Sequence, residues 1–243
     1  TLTVEILSGA AATADDPGRG TMARGAAQCP FCPTIVPPEQ VKAQFVAGQD
    51  GRLLLAVAFR RGGKDGTAFR AATDDDRARF AAARAALARA EAEHDNPFLP
   101  LVPDEALPEQ SRGNNLGRYG IRNWGQVFNA RQLLALSTFV RAIRAAHNQL
   151  LACGAKPDEA TAVTVYLALA LSRMSLRLSE ASRWDNTGEK IQTATGGHRL
   201  AMLWDYVEVN PFSGFSGSWG NTTDSALASI RALLGAAEQP TAV

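Results

Sequence analysis

Cys29-Pro-Phe-Cys32 is the pair of side chains best spaced for chemistry in this sequence. A Cys-x-x-Cys turn brings two thiolates to one face of a tetrahedral ion, and a proline and an aromatic residue shape the turn between them. A closed structural zinc site needs four ligands, and no second such pair exists here. The third cysteine, Cys153, stands alone, and His94, His147 and His198 are far apart and lack an HxxxH spacing. A redox dithiol is the rival use. It normally sits at a helix N-terminus after a strand, and Pro33 and Pro37-Pro38 argue against a helix there. A metal half-site, a redox pair and no chemistry at all remain open at this point. An odd cysteine count argues against a disulfide framework and fits a reducing, cytoplasmic setting.

A second group joins arginines to aromatic residues. Arg118, Arg122, Arg131, Arg183 and Arg199 lie outside helix centres, near Trp124, Phe128, Trp184, Trp204 and Tyr206. Arginine bridges phosphates and reads guanine edges. The aromatics either stack on bases or anchor loops, and anchoring is the commoner use. Charge follows the same division. The net charge of the chain is +1, yet residues 110–203 carry 12 Lys/Arg against 5 Asp/Glu, while both flanks are mildly acidic. If a surface of this chain meets DNA, the arginine group is the expected one. His147 falls on an apolar helix face and reads as a core histidine, whereas His198 beside Arg199 reads as a surface residue.

These residues must be held by a mixed chain. Thr1–Ser8 alternates weakly and predicts a strand, and Ala10–Arg24 predicts a loop. Arg52–Arg60 and Thr67–Ala72 predict a hairpin across Gly62–Gly66. Thr73-Asp-Asp-Asp76 opens an Ala- and Arg-rich helix running to Glu93, with a thin apolar stripe of Phe80 and Leu87. His94–Asn123 predicts a connector. Asn129 caps the next helix, whose Leu133, Leu136, Val140, Ile143, His147 and Leu150 follow the 3.6-residue period with Phe139 beside them, and Gly154 ends it. Pro157 starts a second, antiparallel helix, and its nearly all-apolar stretch Val163–Leu171 is expected to be buried. Trp184–Gly197 predicts a polar loop and His198–Tyr206 a short helix. Asp224–Leu234 predicts a last helix capped by Thr222 or Thr223. The fold class expected is α+β, mainly α: a small β-rich zinc-knuckle module over residues 1–72, then a helical body over 73–243 with an antiparallel helix pair.

Several uncommon words recur in a fixed order: the Cys-x-x-Cys turn with its prolines, Tyr119-Gly120-Ile before Trp124-Gly, Phe128-Asn-Ala-Arg131-Gln-Leu, Arg183-Trp184-Asp185, Trp204-Asp205, and Val209-Asn210-Pro211-Phe212. In that order they resemble the prokaryotic adenine-specific DNA methylases that carry a zinc ribbon. The resemblance implies transfer of a methyl group from S-adenosylmethionine to adenine N6 in DNA. It places this chain between the cofactor motif and the catalytic motif, as an insert that positions DNA beside a flanking methyltransferase domain. It also implies that Cys29 and Cys32 are half of a ribbon, with another cysteine pair upstream of Thr1. An initial Thr in place of Met fits an excised segment or a processed chain.

Asn210-Pro211-Phe212-Ser213 resembles the Asp/Asn-Pro-Pro-Tyr/Phe loop of amino-methyltransferases but lacks the second proline. In that loop a polar side chain accepts from the exocyclic amine and the aromatic stacks on a flipped base. Asn210 and Phe212 are thus the candidates for base contact. No glycine-rich loop follows a strand, so this chain does not assemble an S-adenosylmethionine pocket alone. There is no nucleophile elbow, and no catalytic residue is assigned. The longest apolar stretch is too short to span a bilayer, so no membrane partner is expected. The alternative to a methylase segment is a stand-alone helical module that binds DNA or protein.

Overall fold

The computed structural model describes residues 4–7, 20–49, 51–60, 66–108, 115–193, 200 and 202–237. The chain is mixed helix and strand, with five helices and three small antiparallel sheets among the described residues. It divides into two compact units, one of residues 1–82 with 115–122, the other of residues 83–114 with 123–243.

The first unit holds a meander of three short strands, β1 (Met22–Ala23), β2 (Ala26–Gln28) and β3 (Ile35–Val36). Part of the expected loop 10–24 is therefore strand. Residues 4–7, expected in a strand, form none. The Cys-x-x-Cys turn joins β2 to β3. Helix α1 (Pro38–Val46) follows at once, with Pro38 in the first turn where its missing N–H is not needed. The proline pair thus starts a helix instead of excluding one, although the helix lies past the turn and not on it.

Strands β4 (Ala56–Arg60) and β5 (Thr67–Ala71) pair as expected, with most of the intervening turn outside the described residues. Helix α2 (Asp74–Ala92) begins where three aspartates meet the helix dipole. Thr73 and Asp76 hold its start: the Thr73 N–H and hydroxyl donate to the Asp76 carboxylate, and Arg70 donates to the same carboxylate at 2.6 and 3.0 Å.

The second unit is built on helices α3 (Ala130–Ala152), α4 (Pro157–Ser175) and α5 (Trp219–Ala237). Gly154, at φ +88°, closes α3 in the left-handed region. Helix α4 packs against both α3 and α5. The core is Leu171, Met174, Leu178, Ile191 and Val209, flanked by Leu136, Phe139, Ile143, Trp184, Phe215 and Trp219. A hairpin of β6 (Ser182–Asp185) and β7 (Lys190–Thr193) lies where a loop was expected. The described part of 198–206 is not helical.

Two expectations about helices fail. Helix α5 starts five residues before Asp224. Thr222 and Thr223 lie inside it and bond back to the carbonyls of Ser218 and Trp219, while buried Ser218 accepts from the Asn221 N–H as the cap. The middle of α4 is not buried: Val163, Val165, Tyr166 and Leu169 are all exposed, and only Ala170 and Leu171 of that stretch reach the core.

Candidate functional site

The N-terminus of α3 gathers the sequence words into one cluster. Asn129 is extended and caps the helix, accepting from the N–H groups of Arg131 and Gln132. The Gln132 side chain accepts in turn from the Asn129 N–H at 2.9 Å, a reciprocal capping box. The asparagine amide is also used. Its Nδ2 donates to Glu208 Oε2 at 2.8 Å and to the Tyr206 hydroxyl at 3.1 Å. Glu208 takes Arg131 in a bidentate grip, with Nε at 2.6 Å and Nη2 at 3.1 Å. The pair is largely shielded, Glu208 15% and Arg131 33% exposed at the side chain.

Arg131 was expected on a DNA-facing surface. Here both edges it presents to Glu208 are spent within the fold, so it acts as a clamp joining α3 to the Tyr206–Glu208 segment. Gln132 is fully buried, and its Nε2 has no acceptor among the described residues. Such a donor is costly to leave unpaired, about 1–3 kcal/mol.

The remaining words pack around the same unit. A short 3₁₀ turn, Trp124–Val127, carries its own capping box through Asn123 and Gln126. Gly125 is required there. A Cβ would stand 2.5 Å from the Pro103 carbonyl oxygen and 2.7 Å from Val102 Cγ1. Val127 accepts from the Glu180 N–H, and Ser182 accepts at its carbonyl from the Val207 N–H. Trp184 meets Phe215 edge-on at 6.3 Å between ring centroids.

The turn at Asn210 is rigid and local. Asn210 Oδ1 accepts from the Phe212 N–H at 3.0 Å, its carbonyl accepts from the Ser213 N–H, and Pro211 O accepts from the Trp219 N–H. The side-chain oxygen that would hold an adenine amine is thus engaged by its own loop. Phe212 projects, 82% exposed, with its ring 5.8 Å from that of Phe139. The Gly217 that follows has φ +90° and would set a Cβ 2.6 Å from the Arg177 side chain.

The other candidate arginines are distributed. Arg118 and Arg122 are exposed in the first unit. Arg183 is exposed on β6 and donates to Gln192 Oε1 at 2.6 Å. Arg199 and His198 lie outside the described residues. His147 is half-buried on α3.

The Cys-x-x-Cys turn is held by local contacts. The Phe31 N–H points at Cys29 Sγ at 3.5 Å, the Cys29 N–H donates to the Thr34 carbonyl, and Cys32 Sγ lies 3.2 Å from Thr34 Oγ1. Thr34, chiefly through its hydroxyl, with its backbone and Cys29 adding to it, pulls the Cys32 thiol below its ordinary range. Two thiolates suit a soft ion, but among the described residues no group of three or more His, Cys, Asp or Glu side chains gathers around one point. The described residues therefore do not complete a four-ligand zinc site. Among the described residues, no helix is long and apolar enough to cross a membrane.

Comparison of the chain with protein-family models, with curated proteins and with solved structures finds no match.

Proposed function

We propose that this chain is the central segment of an S-adenosylmethionine-dependent DNA adenine-N6 methyltransferase, where it positions DNA and does not perform methyl transfer by itself. One observation supports the reading most. Phe128–Gln132 and Trp204–Glu208, words that carry the resemblance 77–79 residues apart, meet in the Asn129–Arg131–Glu208–Tyr206 cluster. The Trp184 word and the Asn210 turn pack around the core of the same unit. Words scattered by chance have no reason to share a hydrogen-bonded core.

In this reading Arg118, Arg122 and Arg183 contact phosphate, as does Arg199, while Arg131 holds the scaffold. Exposed Phe212, rather than Asn210, is the side chain available to stack on a base. Cys29 and Cys32 are assigned to half of a zinc ribbon, whose other ligands are not among the described residues.

The test joins this chain to its flanking coding sequence and measures S-adenosylmethionine binding and adenine methylation of duplex DNA. The joined protein is expected to bind the cofactor and methylate, and the present chain to bind DNA with a marked salt dependence only. A joined protein that ignores S-adenosylmethionine refutes the proposal. A second reading, a helical module that binds another protein, is favoured by the exposed apolar side of α4.

A further inference from the structure

Arg177 lies just past the C-terminus of α4, where its N–H donates to the Met174 carbonyl. Its guanidinium is fixed within the fold. Nε donates to the Ile191 carbonyl at 3.3 Å, and the Ser216 hydroxyl donates to the same oxygen at 3.3 Å. The stem lies across Gly217, where a Cβ would stand 2.6 Å from Arg177 Cδ and 2.7 Å from Arg177 Cβ. Gly217 also has φ +90°, so both its space and its backbone exclude a side chain.

The fork so placed has no counter-charge. Arg177 is half-buried, yet among the described residues no carboxylate pairs with it and no acceptor takes its Nη groups. Arg131, also half-buried, closes instead on Glu208. The dipole of α4 favours a cation at this end but takes no hydrogen bond from the fork. A guanidinium shielded from part of its water favours an anion beside it. With Nε occupied, the free edge is the pair of Nη groups, which suits one tetrahedral oxyanion. The surrounding charges do not supply one. Arg173, one turn earlier, is exposed. Arg183 on β6 meets neutral Gln192, and the Asp185 carboxylate is taken up by Gln192 and Lys190.

We infer that Arg177 is a phosphate-binding residue of the DNA-facing surface, its Nη edge holding one phosphodiester beside the loop from Pro211 to Trp219. The inference rests on the DNA-positioning reading and adds to it a contact fixed before binding. That loop is closed by the Trp219 N–H on the Pro211 carbonyl. It carries exposed Phe212 near one end and Gly217, packed against Arg177, near the other. A strand whose phosphate sits on Arg177 therefore passes the loop that bears the candidate stacking ring. An arginine already held in place loses less side-chain freedom on binding than a mobile one, so it contributes more than an average surface cation.

The test is fluorescence anisotropy of a labelled DNA duplex across a chloride series. R177M is expected to weaken binding by roughly tenfold and to lower the salt slope by about 1. R177K keeps the charge without the fork and is expected to recover only part of the affinity. R141M removes an equal charge from an exposed position on α3 and is expected to change affinity by less than roughly twofold. In the wild type, DNA is expected to protect Arg177, and not Arg141, from phenylglyoxal, read by peptide mass spectrometry, a measurement that needs no variant to fold. A wild type that ignores duplex DNA overturns the DNA reading and this inference together. A wild type that binds DNA while R177M matches R141M, or while Arg177 stays unprotected, overturns this inference alone. Protection by inorganic phosphate as complete as by DNA at equal phosphate concentration would assign the site to free phosphate and likewise overturn it.

Discussion

Replacing Glu208 with alanine tests the clamp on which the second unit is built. The substitution removes three acceptor contacts at 2.6, 2.8 and 3.1 Å and leaves the Arg131 guanidinium partly shielded without its partner. Breaking a fully buried pair from one side costs about 3–5 kcal/mol, whereas an exposed pair is worth about 0–1 kcal/mol. Glu208 is nearly buried but Arg131 is one-third open to water, and Asn129 keeps the Tyr206 hydroxyl for its amide. The expected loss is therefore about 2 kcal/mol. In a unit of about 150 residues that lowers Tm by roughly 4–8 °C. Glu208→Gln keeps the shape and one acceptor, and is expected to cost about half as much. The assay is urea unfolding of the wild type, E208A, R131M and the double variant. The cycle isolates the pair, with a coupling of about 1–2 kcal/mol expected. A loss below about 0.5 kcal/mol for E208A, with additive single variants, would mean that the cluster is incidental to the fold.

Gly125→Ala forces a Cβ against the Pro103 carbonyl, which is itself fixed by the Gly125 N–H at 2.9 Å. A loss of about 2–3 kcal/mol is expected in urea unfolding, and a neutral variant would show that this turn yields freely. Asp76 is expected to shape stability in acid. Arg70, then the Thr73 backbone and hydroxyl, hold its carboxyl well below the usual carboxylate range. Its contribution is thus complete above the ordinary aspartate range near pH 4 and is lost as pH falls below it. The urea midpoint of D76N should therefore fall less than that of the wild type between about pH 4 and pH 2, and parallel curves would refute the linkage. Thr34→Val removes the hydroxyl that favours the Cys32 thiolate. Alkylation of Cys32 by iodoacetamide at neutral pH should slow relative to the wild type, and an unchanged rate would show that Thr34 does not tune the thiol.

Local chemistry was readable in the sequence wherever the deciding partner is close by. Asn129 before an apolar period and Gln132 three residues later spell the start of α3. Pro157, three aspartates after Thr73, and Gly154 mark their boundaries for equally local reasons. The β6–β7 hairpin was hidden because its residues are mostly polar. Part of what holds it comes from beyond the hairpin: the Val207 N–H donates to the Ser182 carbonyl, and the Ser216 hydroxyl donates to the Ile191 carbonyl. The turn Asn186-Thr187-Gly188 was the signal that could have found it. The ion pair of Arg131 was hidden because its partner is far off in sequence. An arginine near aromatics reads as a surface cation until a glutamate 77 residues away closes on it.

Helix α4 shows the limit of periodicity in another form. Its nearly all-apolar run reads as a buried helix, because a helix apolar all round is usually enclosed, yet most of the run is exposed. What a pattern cannot supply is the identity of the cover. Helices α3 and α5 take one side, and the side carrying Val165, Tyr166 and Leu169 is left to water in the isolated chain. Exposed leucines scattered singly need no explanation, but Val163, Val165, Tyr166 and Leu169 lie close together on one helix. A contiguous apolar patch of this kind, and not a single exposed side chain, is what calls for an account.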